Sequence, residues 1–584
     1  MPWLTPLLLI ALSCFSTHAQ QQSATPTTQD EPVSGSITGK VVNESGQPLA
    51  GVAVFVRAFG SSVGGRTTMS NTEGDFQING LDPALYVVSA SLPAYVTRAR
   101  DPQTPAPTYR LGDSVRIELI RGGVITGTVT NAAGEPVVGV RVRAFMVRDV
   151  NNKPTNGRAL AFGERPTDDR GIYRIYGLGA GSYLVQAGGG GNLYSSMNPY
   201  DFDAPTFSPS SNRDTAAEIQ VRSGDESNAD IRYRGEPGHI VSGTVRLNGA
   251  TGASVSLTRA GDGVLPAGNS YQQPGARGFS IYGVGDGDYD LVAQEMVSST
   301  SVAFPDLAMS DPLRLTVKGA DITGLELITK PLASISGRIL LEPSKIPECQ
   351  GTRRPAFAEA MIEANPNRGG ADQEQSAYSV ASTNSASPDA EGNFRIRNVR
   401  PAQYAFSPRF FARYWYLQSM SIGSSPTASV KTKTSSATAK VDAARNWTTV
   451  KSGDRITRLT ITLAEGAASL RGKVVTAEGS KLPVGLLLYL VPAEREKADD
   501  ALRFFVSQVA PDGTLSLYNL PPGNYWSVIR TASENEPTTT AKLRLPDQAE
   551  FRAKLRRNAE AAKLTVELKP CQNLSDYQLP FMQR

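Results

Sequence analysis

Along most of this chain apolar and polar residues alternate in short runs, the two-residue period of a strand with one buried face. The clearest runs open on a glycine: "GDFQINGLDPALY" (Gly74 to Tyr86), "GIYRIYGLGAGSY" (Gly171 to Tyr183), "GNFRIRNVRPAQY" (Gly392 to Tyr404) and "GTLSLYNLPPGNY" (Gly513 to Tyr525). A fifth copy, "RGFSIYGVGDGDY", ends at Tyr289 and carries its glycine at Gly278. Within each copy the paired apolar positions, such as Phe76 and Ile78 or Tyr173 and Ile175, predict a half-buried strand. The Gly/Pro/Asp/Asn cluster that follows predicts a turn, and the tyrosine begins the next strand.

A second element recurs upstream of each copy: "ITGKVVNESGQPLAGVAVFV", "ITGTVTNAAGEPVVGVRVRA", "VSGTVRLNGATGASVSLT", "ISGRILL" and "LRGKVVTAEGSKLPVGLLLYL", led by Gly39, Gly127, Gly243, Gly337 and Gly472. Most of these read as strand, turn, strand. Downstream of the tyrosine come further alternating runs, "LGDSVRIELI", "VKGADITGLELI" and "KSGDRITRLTITL". Each unit then holds about seven short strands, enough for two sheets packed face to face. The unequal spacing of the leading glycines argues for separate domains with variable loops and against a tight solenoid.

The two patterns together resemble the carboxypeptidase regulatory-like domain, a transthyretin-like (prealbumin-like) β-sandwich grouped with carbohydrate-binding-like folds; tandem copies resemble those of exported bacterial envelope proteins. The resemblance implies an all-β chain of about five sandwiches, 34–121, 122–236, 237–331, 332–466 and 467–570, after a signal peptide (1–19) and a disordered linker (20–33) and before a C-terminal tail (571–584). The same fold hosts many roles, so the resemblance speaks for architecture more than for function. The tyrosine's constant distance from a buried strand predicts a structural role, its ring capping one end of the sandwich and its hydroxyl bonded to backbone near the turn.

Composition agrees with turn-rich β modules: 54 Gly, 39 Pro and 20 Tyr, with 20% charged residues. The net charge of +4 is spread along the chain with no basic stripe, which excludes a nucleic-acid footprint. The apolar run Leu7 to Phe15, followed by Thr17-His18-Ala19, reads as a secretory signal peptide cut after Ala19, with lipidation at Cys14 as the alternative. No later segment is apolar for long enough to be a membrane helix. The expected location is outside the cytoplasm: periplasmic, outer-membrane-associated or extracellular. Cys349 and Cys571 remain after cleavage, and in an oxidising compartment they can pair.

Few residues in the chain are arranged for chemistry. The chain has two histidines, His18 in the signal peptide and His239, so the two-His-one-Glu zinc site of a metallocarboxypeptidase cannot be built. "GSSVG" around Ser62 lacks the helix that a nucleophile elbow needs. The run Asp286, Asp288, Asp290 starts like a calcium loop, but Leu291 and Val297 stand where that loop needs glycine and glutamate. No catalytic residue, metal or cofactor is expected. Candidate ligand-binding side chains are the aromatics outside the repeat: Tyr194, Tyr200, Phe202 and Phe207 in a Gly/Ser/Pro-rich insertion, and Trp415 and Tyr416 in "RFFARYWYLQ". The expected partner is a polysaccharide or an envelope protein. The functions left in play are polymer binding by a module array, a spacer or interaction scaffold, or an accessory chain of an envelope enzyme or transport system.

Overall fold

The computed structural model describes residues 35–59, 65–98, 107–155, 164–190, 198–261, 266–272, 275–276, 278–296, 306–349, 355–367, 384–423, 440–476, 481–533 and 536–581. Five β-sandwiches follow one another, each built round a large apolar cluster, and the cluster of the fourth also takes in Leu502 of the fifth. In the first, the strand Gly35–Val42 pairs antiparallel with Asp75–Leu81 and parallel with the last strand, Ser114–Arg121. The second sheet has the order Arg66–Met69, Ala53–Ala58, Tyr86–Ser91. The same pairing recurs down the chain, with first and last strands parallel in every module. These pairs are Gly123–Thr130 with Glu226–Asn228 and Ile231–Arg232, His239–Arg246 with Ile322–Pro331, Ala333–Glu342 with Arg455–Glu465, and Ala468–Val475 with Asn573–Pro580. The chain therefore enters each module at one pole and leaves at the other.

The leading glycines mark a close approach of backbones. A Cβ on Gly39 would stand 2.1 Å from the carbonyl oxygen of Val115, and one on Gly337 2.1 Å from that of Leu459. The residue opposite the glycine lays its side chain over the gap: Phe76 faces Gly39, Tyr173 faces Gly127, Phe279 faces Gly243, Phe394 faces Gly337 and Leu515 faces Gly472. In four modules an aromatic ring, and in the fifth a leucine, thereby restores the packing that the missing side chain gave up.

The repeated tyrosine has one task in all five modules. Its hydroxyl donates to the backbone carbonyl four residues earlier: Tyr86 to Asp82 at 2.6 Å, Tyr183 to Gly179 at 2.9 Å, Tyr289 to Gly285 at 2.7 Å, Tyr404 to Arg400 at 3.0 Å and Tyr525 to Pro521 at 2.8 Å. All five rings are buried. Desolvation raises the phenol pKa in each, to about 12 for Tyr289 and Tyr404, so the groups stay neutral donors.

Two regions differ from the expected layout. The 571–584 tail contributes a strand, Asn573–Pro580, which closes the fifth sandwich beside Ala468–Val475 and buries Leu579. The fifth module also contains a helix, Ala549–Ala562, whose residues Phe551, Leu555 and Ala559 recur every fourth position and pack on Leu487, Tyr489 and Val491. It ends on Lys563 in the left-handed region at φ 50°, with the Lys563 N–H bonded to the Ala559 carbonyl at 3.0 Å.

The joints between modules are short. Only Gly122 separates the last strand of the first module from the next, only Leu332 stands between the third and fourth, and Gly466 and Ala467 join the fourth to the fifth. Cys349 of the fourth module is bonded to Cys571 of the fifth, 222 positions away, with their Cα atoms 5.4 Å apart. The Cys571 N–H also donates to the Gly466 carbonyl at 3.0 Å, which puts the covalent bridge beside the joint. The array curves enough for Arg110 of the first module to reach Glu359 of the fourth at 3.9 Å and to lie over the Phe411 ring at 5.2 Å.

Candidate functional site at the junction of the second and third modules

Residues 233–238 make the joint between the second and third modules longer than the others, and the aromatic insertion fills it. Within the insertion, Asn198 uses its side-chain oxygen to cap the 3-10 turn Pro199–Asp201 by accepting from the Tyr200 N–H at 3.1 Å. Its amide nitrogen donates to the Gly139 carbonyl at 2.6 Å, tying the turn to the second module. Tyr200 meets Tyr233 edge-on with ring centroids 5.6 Å apart, and the Tyr233 hydroxyl donates to Asp203 at 2.8 Å. Phe202 crosses to the third module and meets the Tyr282 ring at 5.1 Å. The backbones close the contact: the Ala204 N–H donates to the Glu236 carbonyl at 2.8 Å and the Gly238 N–H to the Phe202 carbonyl at 3.0 Å. A Cβ on Gly238 would lie 2.5 Å from the Gly283 Cα, so this position admits no side chain. Asp201 is buried beneath the turn, 3.6 Å from Arg141. Burial raises its pKa, against the opposing pull of Arg141 and Arg143.

Between the two modules lies a cavity of about 210 Å³. The second module and the connector supply Phe207, Asn212, Arg213, Arg234, Glu236 and Pro237 to its wall. The third supplies His239, Arg259, Asp286 and Tyr289. Arg259 reaches across to both carboxylate oxygens of Asp214, at 2.7 and 2.9 Å. His239 opens the strand His239–Arg246 and holds Nε2 3.2 Å from Asp286. A solvated turn is the expectation from its sequence neighbours; the structure instead places it half-buried between two carboxylates, Asp286 and Asp321.

The candidate ligand-binding aromatics are not brought together into one surface. Tyr194 lies outside the described residues. Tyr200 is half-buried, Phe202 is exposed with one face on Tyr282, and Phe207 is buried with Phe145 and Leu184 on the outer face of the second module. Trp415 is wholly buried in the fourth module's core and shows no ring face to solvent. Tyr416, its neighbour on the opposite face of the strand Trp415–Gly423, is half-buried, and desolvation raises its pKa. Stacking on a polymer needs an exposed π face, so Phe207 and Trp415 serve the packing. The reason is local: Trp415 opens its strand opposite Glu465 and its side chain joins the apolar core of the fourth module.

Asp286, Asp288 and Asp290 do not converge on one point. Asp286 accepts from the Gly319 N–H at 2.8 Å, Asp288 from the Thr316 hydroxyl at 2.6 Å, and Asp290 pairs with Arg314 at 2.5 Å. Among the described residues no group of three or more His, Cys, Asp or Glu side chains is arranged to hold a metal ion, and no helix is long and apolar enough to cross a membrane. Ser62 lies outside the described residues. The cavity's arginines carry no signal in the sequence, because they arrive from separate segments and each sits in an ordinary mixed-charge stretch.

Fold and junctions together define a tandem array of β-sandwiches. Its first member, residues 36–115, matches the family model of the carboxypeptidase regulatory-like domain, and the other modules repeat its glycines and its tyrosine. Among solved structures, the array is similar to the Bacillus anthracis TIE protein at 13% identity, covering 51% of this chain and 50% of that one, with a TM-score of 0.13. It is also similar to GBS52, the minor pilin of Streptococcus agalactiae, at 14% identity, 34% and 96% coverage and a TM-score of 0.19. BcpA, the major pilin subunit of Bacillus cereus, aligns at 10% identity over 51% of this chain and 99% of that one, with a TM-score of 0.14. The alignment thus spans half the length of the TIE protein. No curated protein matches the sequence.

Proposed function

We propose that this protein is a non-catalytic scaffold of the cell envelope, a pre-shaped array whose role is to hold attached or bound partners at set positions. One observation carries the reading: the modules are joined strand to strand through one or two residues at three of the four joints, and the fourth is filled by an aromatic insertion. A flexible tether would instead separate its domains with Gly/Ser- or Pro-rich linkers. The bond between Cys349 and Cys571 adds a covalent clamp that suits an exported protein. Polysaccharide binding through the candidate aromatics fits less well, since Phe207 and Trp415 are given over to packing.

Spin labels placed pairwise on adjacent modules, and on the first and fourth, test the reading. Narrow distance distributions at every joint are expected. Broad distributions at the one-residue joints would show a flexible chain of beads and sink it.

A further inference from the structure

The cavity between the second and third modules is asymmetric in charge. Its arginines are less exposed than their acidic partners: the Arg259 side chain is 16% exposed and that of Asp214 69%, Arg234 33% and Glu236, on the same wall, 52%. Water and salt screen the outer carboxylates, whereas the guanidinium groups have given up much of their own hydration. The half-buried Arg213 lines the same wall, and Asn212 spends its side-chain oxygen on the Asp214 and Thr215 N–H groups, which leaves its amide as a donor. Three arginines against the two carboxylates of Glu236 and Asp286 leave the wall with an excess of planar, hydrogen-bond-donating cations, the geometry that matches carboxylate and phosphate oxygens two at a time. Phe207, Pro205 and Pro237 form an apolar side wall.

We propose that this cavity binds a small oxyanion, a carboxylate or phosphate carried on a single compact molecule. The volume of about 210 Å³ suits one small acid. Arg213 and Arg234 come from the second module and its connector and Arg259 from the third, so an oxyanion bridging them adds a contact across the joint and favours its closed form by mass action.

Titration calorimetry of the full chain with inorganic phosphate, glucuronate and glucose tests this. At least one anion binds with a dissociation constant in the millimolar range or tighter and weakens as salt rises, while glucose gives no heat. Binding of phosphate alone assigns the site to a phosphate group; binding of glucuronate alone assigns it to a carboxylate. Arg259→Gln lowers the affinity about tenfold or more, and Arg259→Lys restores part of the loss because it keeps the charge without the fork. Because Arg259 also ties the modules together through Asp214, Arg213→Gln is the second variant, with the distance between spin labels on the two modules as its control. The inference is overturned if neither anion binds, if glucose binds as well as glucuronate, or if Arg213→Gln and Arg259→Gln both leave the affinity unchanged.

Discussion

The second-to-third and fourth-to-fifth joints solve one problem by different means. At the first, residues 233–238 leave slack, and the slack is taken up by side chains: Tyr200 on Tyr233, Phe202 on Tyr282, and Tyr233 bonded to Asp203. At the second, Gly466 and Ala467 leave almost none, and a covalent bond from Cys349 to Cys571 holds the rest. A packed joint depends on many weak contacts and on a backbone position with no room for a side chain; a bridged one depends on oxidation state. The difference teaches that stiffness in this array is a property of each joint separately.

The largest effect should come from the bridge. Reduction, or Cys571→Ser, removes a cross-link closing a long loop, worth about 2 to 5 kcal/mol. Distances between labels on the fourth and fifth modules broaden, and those between the second and third stay as they were; broadening at both joints would break the comparison. Next comes Gly238→Val, whose added atoms meet the Gly283 backbone and cost about 3 kcal/mol. Urea unfolding should show the loss in the second and third modules only, with the label distances across that joint spread. Tyr233→Phe leaves the half-buried Asp203 carboxylate without its hydroxyl partner, a loss of about 1 to 2 kcal/mol in the same unfolding transition. Phe202→Ala gives up one edge-to-face contact of a partly exposed ring, about 1 kcal/mol, read as a small rise in protease cutting near residues 233–238. Smallest is Arg110→Ala, which deletes a half-exposed contact between the first and fourth modules worth at most about 1 kcal/mol. It should lengthen the distance between those two modules without changing any melting temperature.

The modules themselves were legible because their signals are local and repeated. A tyrosine eleven or twelve positions after a turn glycine is visible as spacing, and the structure shows its hydroxyl making the same bond in every copy. The helix Ala549–Ala562 had a signal too, in Phe551, Leu555 and Ala559, but it lies inside a β repeat that draws the eye to period two. The last strand, "NLSDYQLP", buries only Leu579 fully, so its alternation is faint. Trp415 could be read as a ligand platform because a strand apolar on both faces looks the same whether its outer face meets another strand or a solute. The cavity was not legible at all: Arg213, Arg234 and Arg259 become neighbours only through the docking of two modules, and sequence spacing has no record of that docking.

The parallel pairing of first and last strands has a mechanical consequence. A pull on the two ends of the chain would first release the contact of Arg110 with Glu359 and Phe411 and straighten the curve, a soft response. After that the tension enters each module at one pole and leaves at the other, sliding Gly35–Val42 against Ser114–Arg121 along their length. Their hydrogen bonds then share the force together instead of opening one by one like a zip. The array would behave as a short compliant spring in series with five stiff links, and the bridged fourth and fifth modules would be the pair whose stiffness answers to redox conditions.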